Sequence, residues 1–216
     1  MRMRRKPWAR PELDASEVYI KNPHDFYGRW QEAFDKEQPL CMELGCGKGG
    51  FISQKAFMHP EKNWIAFDIK SEVLATAKRN IEAVYGTVHC PNVKITAFDI
   101  ERIPLVVAPE DTIDEIYINF CNPWPKDRHK KRRLTHTRQL TNYKTFLKDG
   151  GKIFFKTDDD ELFAESLDYF AEAGFTVEFI TYDMAENPLP ENIVTEHEKM
   201  FTEQGIKIKG LIATNG

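Results

Sequence analysis

The sequence predicts an α/β fold, a mostly parallel sheet of seven strands with helices on both faces and an antiparallel last strand. Three observations predict it. Short segments rich in Ile, Phe, Val or Leu and bounded by Gly, Pro, Asn or Asp recur near 39–44, 63–68, 93–98, 112–120, 151–157, 175–182 and 206–213. Helical patterns alternate with them. The last two strands lack a long crossover, so the sheet is expected to end antiparallel.

In chain order, residues 22–35 read as a helix, with Asn22 as cap, Pro23 in the first turn, and Phe26, Trp30 and Phe34 four apart. Residues 71–85 carry Val73, Leu74, Ala77, Ile81 and Val84 on one face, with Ser71 as a cap and Gly86 as a stop. Further helices are expected over 160–173 before Gly174 and over 195–204 before Gly205. No repeat or linker divides the chain, so 1–216 reads as one domain with a basic N-terminal arm, 1–20.

Composition narrows the function. With 216 residues, 41% hydrophobic and 30% charged, the chain can bury a sizeable core. No apolar run reaches the roughly 20 residues of a membrane helix, and the basic start has no apolar stretch behind it. Cys41, Cys46, Cys90 and Cys121 lack metal-binding spacing, so reduced thiols, no metal and a cytoplasmic location are expected. The net charge of −4 argues against a polyanionic partner, but it averages over segregated blocks. Residues 126–138 hold seven Lys or Arg against one acid, whereas 158–204 hold fourteen Asp or Glu against the single Lys199.

In an open parallel sheet, ligands sit beyond the carboxyl ends of the strands. The first predicted strand ends in MELGCGKGG, where Gly45, Gly47 and Gly49 allow a tight turn and close backbone approach. Gly45, Gly47 and Gly50 also satisfy G-x-G-x-x-G formally, which keeps a nicotinamide cofactor open. Asp68 closes the second strand where an acid would grip ribose hydroxyls, and Asp99 closes the third, within reach of an adenine amino group. Glu43, two residues before the first glycine, would repel a pyrophosphate but welcome a sulfonium and an ammonium. After the fourth long strand comes NFCNPWPKDRHKKRR, a stiff proline-flanked tryptophan followed by cations. That pairing suits a nucleobase held out of its stack while flanking phosphates are gripped.

At this point the sequence resembles the bacterial tRNA (guanine-N7-)-methyltransferases over nearly its whole length. The resemblance is carried by RRKPWARPEL, MELGCGKG, FDIK, NPWPKDRHKKRRLTH, FKTD at 155–158 and TEHEKMF at 195–201. It implies the Rossmann-like, seven-stranded S-adenosylmethionine-dependent methyltransferase fold, S-adenosyl-L-methionine as cofactor and tRNA as partner. The implied reaction methylates N7 of a guanine in the tRNA variable loop. By the same resemblance, cofactor residues fall on Glu43, Asp68, Asp99 and Asn122. Guanosine contacts fall on Lys126, Asp158, Thr195, Glu196, His197 and Glu198, and RNA contacts on Arg128, His129, Lys130, Lys131, Arg132 and Arg133. The family commonly has an aspartate where this chain has Asn122. An amide cannot act as a base, and guanine N7 has a lone pair and no proton to remove, so Asn122 is expected to orient rather than deprotonate.

Overall fold

A computed structural model describes residues 6–216 of the chain. The expected strands form as β2 (Leu40–Leu44), β3 (Asn63–Asp68), β4 (Val93–Ala97), β5 (Ile113–Asn119), β6 (Leu147–Thr157), β7 (Phe175–Thr181) and β8 (Lys209–Asn215). The count rises to eight because β1 (Tyr19–Ile20), too short to show a pattern, pairs parallel with β4. The order is β1-β4-β3-β2-β5-β6-β8-β7, parallel except where β8 pairs antiparallel with both β6 and β7.

Helices α1 (Ala9–Asp14), α2 (Gly50–Met58) and α3 (Ser71–Tyr85) cover one face, and α4 (Thr137–Lys144) and α5 (Asp160–Glu172) the other. Strand alternation explains the two layers. In β2, Met42 and Leu44 pack with Tyr143, Phe163 and Phe170, whereas Cys41 packs with Leu13, Phe51 and Ile81 on the opposite side. The helix expected over 71–85 forms with those bounds, and Gly86 ends it in the left-handed region. Those expected at 160–173 and 195–204 form as α5 and α6 (Glu196–Glu203). Residues 9–20 of the expected N-terminal arm are built into the body as α1 and β1, while Arg2, Arg4 and Arg5 lie outside the described residues.

The expected helix over 22–35 is corrected to two 3-10 turns, Pro23–Phe26 and Trp30–Ala33. The cause is long-range. The buried Asp111 carboxylate accepts from the Gly28 N–H at 3.0 Å, the Trp30 N–H at 2.9 Å and the Ala108 N–H at 2.7 Å. Those first two amides are thus drawn out of any helical ladder, and Gly28, at φ +74, reverses the chain between the turns.

Strand order reverses at β2, whose two neighbours are β3 and β5. The connections after the two halves therefore diverge there, and a cleft opens at the carboxyl ends of β2 and β5.

Candidate active site

The cleft has a volume of about 390 Å³. Its inner wall comes from the ends of β2, β3 and β4, with Glu43, Gly45, Gly47, Asp68 and Asp99. Its outer wall comes from the segment after β5, with Phe120, Asn122, Trp124 and Arg132, and from Thr195, Glu196 and His197 at the start of α6. Residues far apart in the chain thus share one cavity.

The glycine loop has two jobs. Gly45 (φ +86) and Gly47 (φ +53) occupy the left-handed region, and a side chain built on Gly47 would meet nothing within 4 Å, so the loop leaves room for a ligand. Gly49 is different. A Cβ there would lie 2.8 Å from the Ala77 Cβ, so this glycine lets the loop pack against α3 and does not line the cleft. Asp68 accepts from the Gly47 N–H and the Lys70 N–H, both at 3.0 Å, so it shapes the loop while facing the cavity. Asp99 accepts from the Glu101 N–H at 3.1 Å and caps the turn that follows β4.

Glu43 is buried at the floor. Its Oε1 accepts from Asn119 Nδ2 at 3.0 Å, whereas its Oε2 is buried with no partner. Burial pushes its carboxyl up to about 7, against the hydrogen bond from Asn119 and the nearby charge of Lys156. An orphaned carboxylate oxygen at the floor of a cavity is costly until a cation or donor meets it. The residues therefore fit a ligand with a ribose and a positive charge.

The outer wall is under backbone strain. Phe120 (φ +52) and Trp124 (φ +43) are bulky residues in the left-handed region on either side of Asn122. Asn122 Oδ1 accepts from the Trp124 N–H at 3.1 Å and holds that turn, so its side-chain N–H groups remain available to donate. The Trp124 ring is already engaged, with the Arg132 guanidinium 4.4 Å from its centroid and His129 at 5.7 Å. Phe120 stacks on His197 at 5.9 Å and 23°, joining the two outer segments.

The cationic block divides. The Arg133 side chain has 0% exposure; Nε donates to Pro123 O at 2.6 Å, and the guanidinium pairs with Glu161 and Glu165 of α5. Lys130 is held by Asp127, Glu161 and Glu165. Arg132 pairs with Glu101 at 2.7 Å. Lys126, Arg128 and Lys131 stay exposed with no carboxylate partner among the described residues, and Arg128 Nε donates to His129 Nε2 at 3.0 Å. The phosphate contact expected of Arg133 is thus corrected, because its guanidinium is buried and committed to the fold.

The acidic block divides as well. Glu198 is buried against Lys156, and Thr195 Oγ1 accepts from the Glu198 N–H at 3.1 Å as the cap of α6. Glu196 pairs with Lys48 across the cleft mouth at 3.4 Å. Asp158 and Lys126 are not among the cavity-lining residues. Sequence reasoning missed Phe120, whose unusual φ has no sequence signal. It also passed over Lys156, although a lysine inside the apolar run IFFKT is a visible anomaly.

The strand order and the acid-rimmed cleft at its switch point are those of a class I S-adenosylmethionine-dependent methyltransferase. An antibiotic-related methyltransferase shares the fold, with a TM-score of 0.63 at 14% identity over 91% of this chain and 95% of that one. A family model described as "Putative methyltransferase" matches residues 37–211. The tRNA (guanine-N(7)-)-methyltransferase of Clostridium beijerinckii is 57% identical over 215 residues, covering 99% of this chain and 98% of that protein. Its counterpart in Clostridium perfringens is 56% identical over 216 residues, covering 99% of each. The chain belongs to the tRNA (guanine-N(7)-)-methyltransferase family, with S-adenosylmethionine as its cofactor. Among the described residues, no helix is long and apolar enough to cross a membrane.

Proposed function

We propose that this protein methylates N7 of a guanine in tRNA, at a variable-loop position, in the cytoplasm. The observation that carries the reading is the two-walled cleft: an acid-rimmed cofactor wall faces a wall built from the NPWP segment and the TEHE segment. The names of the relatives supply the base and the RNA class.

S-adenosylmethionine, when bound, supplies an electrophilic methyl group on a sulfonium. Asp68 and Asp99 would hold the adenosine moiety, and the unpartnered Oε2 of Glu43 would meet positive charge. Guanine N7 presents a lone pair and carries no proton, so the chain needs no general base. Its task is alignment and support of the cation that forms on the base. Asn122 stands at the junction of the two walls as a neutral orienting group that holds the Trp124 turn through its Oδ1. The carboxylate of Glu196, at the cleft mouth, suits the two donors of the guanine edge bearing N1–H and the amino group, which adenine lacks in that arrangement. Arg128 and Lys131, exposed beside this wall, suit flanking phosphates.

The test is to incubate the protein with unmodified tRNA and methyl-labelled cofactor, digest the RNA and locate the label. The expected product is 7-methylguanine in the variable loop. N6-methyladenine, or label at another position, would overturn the assignment.

A further inference from the structure

The segment 191–198 has little regular structure before α6, and Lys55 of α2 ties down only its first residue, Glu191, yet it presents Thr195, Glu196 and His197 to the cleft. Something must hold it. Lys156 lies in β6, in register with Asn119 of β5 and Gly210 of β8, so its backbone is locked on both sides. Its side chain is 2% exposed, and Nζ donates to Asn192 Oδ1 at 2.9 Å, Ile193 O at 2.8 Å and Glu198 Oε2 at 2.6 Å. Asn192 Nδ2 closes the ring onto Glu198 Oε1 at 2.8 Å. All three donor protons of the ammonium are therefore spent on this one segment. The Lys156 carbonyl also accepts from the Phe120 N–H at 2.9 Å, and its ammonium sits 5.8 Å from the Phe120 ring that stacks on His197.

From this geometry we infer that Lys156 is a positioning residue for the substrate-facing segment, and that Glu198 is its counter-ion and not a contact to guanine. The inference rests on the proposed reading of the 195–197 wall as the guanine side of the cleft. A buried ammonium satisfied by two side chains and a carbonyl has few alternative arrangements, so it sets the segment's register on the sheet. Both carboxylate oxygens of Glu198 are engaged, Oε2 by Lys156 and Oε1 by Asn192, and the side chain is buried and does not line the cleft, so it faces the latch and not a base.

The test combines a double-mutant cycle with a variant outside the ion pair. Lys156→Met, Glu198→Gln and the double variant are assayed for 7-methylguanine formation on unmodified tRNA, with affinity for S-adenosylhomocysteine measured beside it. Lys156→Met is expected to raise the KM for tRNA about tenfold, and the double variant no further, because both changes undo one latch. Multiplying losses, or a base preference altered by Glu198→Gln, would overturn the inference and make Glu198 a direct contact. If Lys156→Met fails to fold, Asn192→Ala decides, since it removes two latch bonds and strands no charge. It is expected to raise the KM for tRNA about threefold and leave kcat and cofactor affinity within twofold; an unchanged KM would overturn the proposal. Amide hydrogen exchange of residues 193–199 in the same variants gives a readout independent of turnover. It should quicken there and not in β6, and unchanged exchange would overturn the latch even if the wild-type chain proved to methylate another base.

Discussion

Two segments of opposite charge form the outer wall of the cleft, and buried cations anchor both. In the cationic segment 122–133, the anchor Arg133 belongs to the segment and its carboxylates, Glu161 and Glu165, belong to the scaffold helix α5. In the acidic segment 191–198 the roles are reversed, with the anchors Lys156 in strand β6 and Lys55 in α2, and their carboxylates, Glu198 and Glu191, in the segment. In both, part of the charge that seemed aimed at a ligand is spent on the fold. Of the six residues 128–133, Lys130, Arg132 and Arg133 are tied to glutamates, which leaves Arg128 and Lys131 as the cations with no acidic partner among the described residues. In the acidic stretch, Asp160, Glu161, Glu165, Glu178, Asp183, Glu191 and Glu198 each pair with a Lys or Arg away from the cleft, and Glu196, paired with Lys48 across the mouth, is the acid that reaches the cleft. The charge of a segment is therefore a poor measure of what that segment offers a ligand.

The sharpest way to break this comparison is at Arg133. Replacement by Met should cost about 2–3 kcal/mol of stability, because it unties the loop from α5 and leaves the Pro123 carbonyl without its donor, while Lys130 still meets both carboxylates. Denaturant unfolding measures it, and a loss below about 1 kcal/mol would mean that Arg133 is no anchor.

Glu43 offers an effect of similar size that reads as pH dependence. Its folded carboxyl stands near 7 against an ordinary value of 4.5, raised by burial. The folded state then holds a proton that the unfolded state releases between those values, so this group's contribution to stability falls as pH rises from about 4.5 to about 7, by about 3 kcal/mol in all. A cationic ligand favours the charged form, so affinity for S-adenosylmethionine should rise through the same range. Glu43→Gln should flatten both curves; a pH-independent affinity in the wild-type protein would place the positive charge elsewhere.

Asp68→Ala should weaken cofactor binding by about 1.5–3 kcal/mol, read by calorimetry, because it removes charged hydrogen bonds and unties the Gly47 amide. Unchanged affinity would move the ribose off this strand end.

The division of the cationic block predicts a smaller but more specific contrast. Arg128→Ala with Lys131→Ala should raise the KM for tRNA and flatten its salt dependence by about one unit per lost phosphate contact, whereas Lys130→Ala should leave the salt slope unchanged. Equal slopes for all three would erase the distinction between anchoring and free cations. The smallest effect is expected for Asn122→Asp, which keeps the acceptor for the Trp124 N–H and should retain turnover, while Asn122→Ala should lose it as the strained turn relaxes. Full activity of the alanine variant would end the orienting role.

Much of the fold was legible in the sequence because strands and long helices are local patterns. The helix at 71–85 and the seven longer strands needed only periodicity and their bounding glycines, prolines and polar residues. The acids at the ends of β2, β3 and β4 were legible for the same reason, since strand ends in a parallel sheet share one rim. Residues 22–35 were misread because their backbone amides bond a carboxylate more than 80 positions away, and no local pattern records that. Likewise, the charge blocks and the proline-flanked tryptophan were plain in the sequence, but the partner of each charge was not. Whether an arginine grips a phosphate or locks a loop depends on what packs beside it, and burial turns the same guanidinium from a ligand contact into a structural ion pair. Local chemistry thus determined the strands, the glycine turn and the acids on the rim, while three-dimensional packing alone decided which charges remain for a ligand.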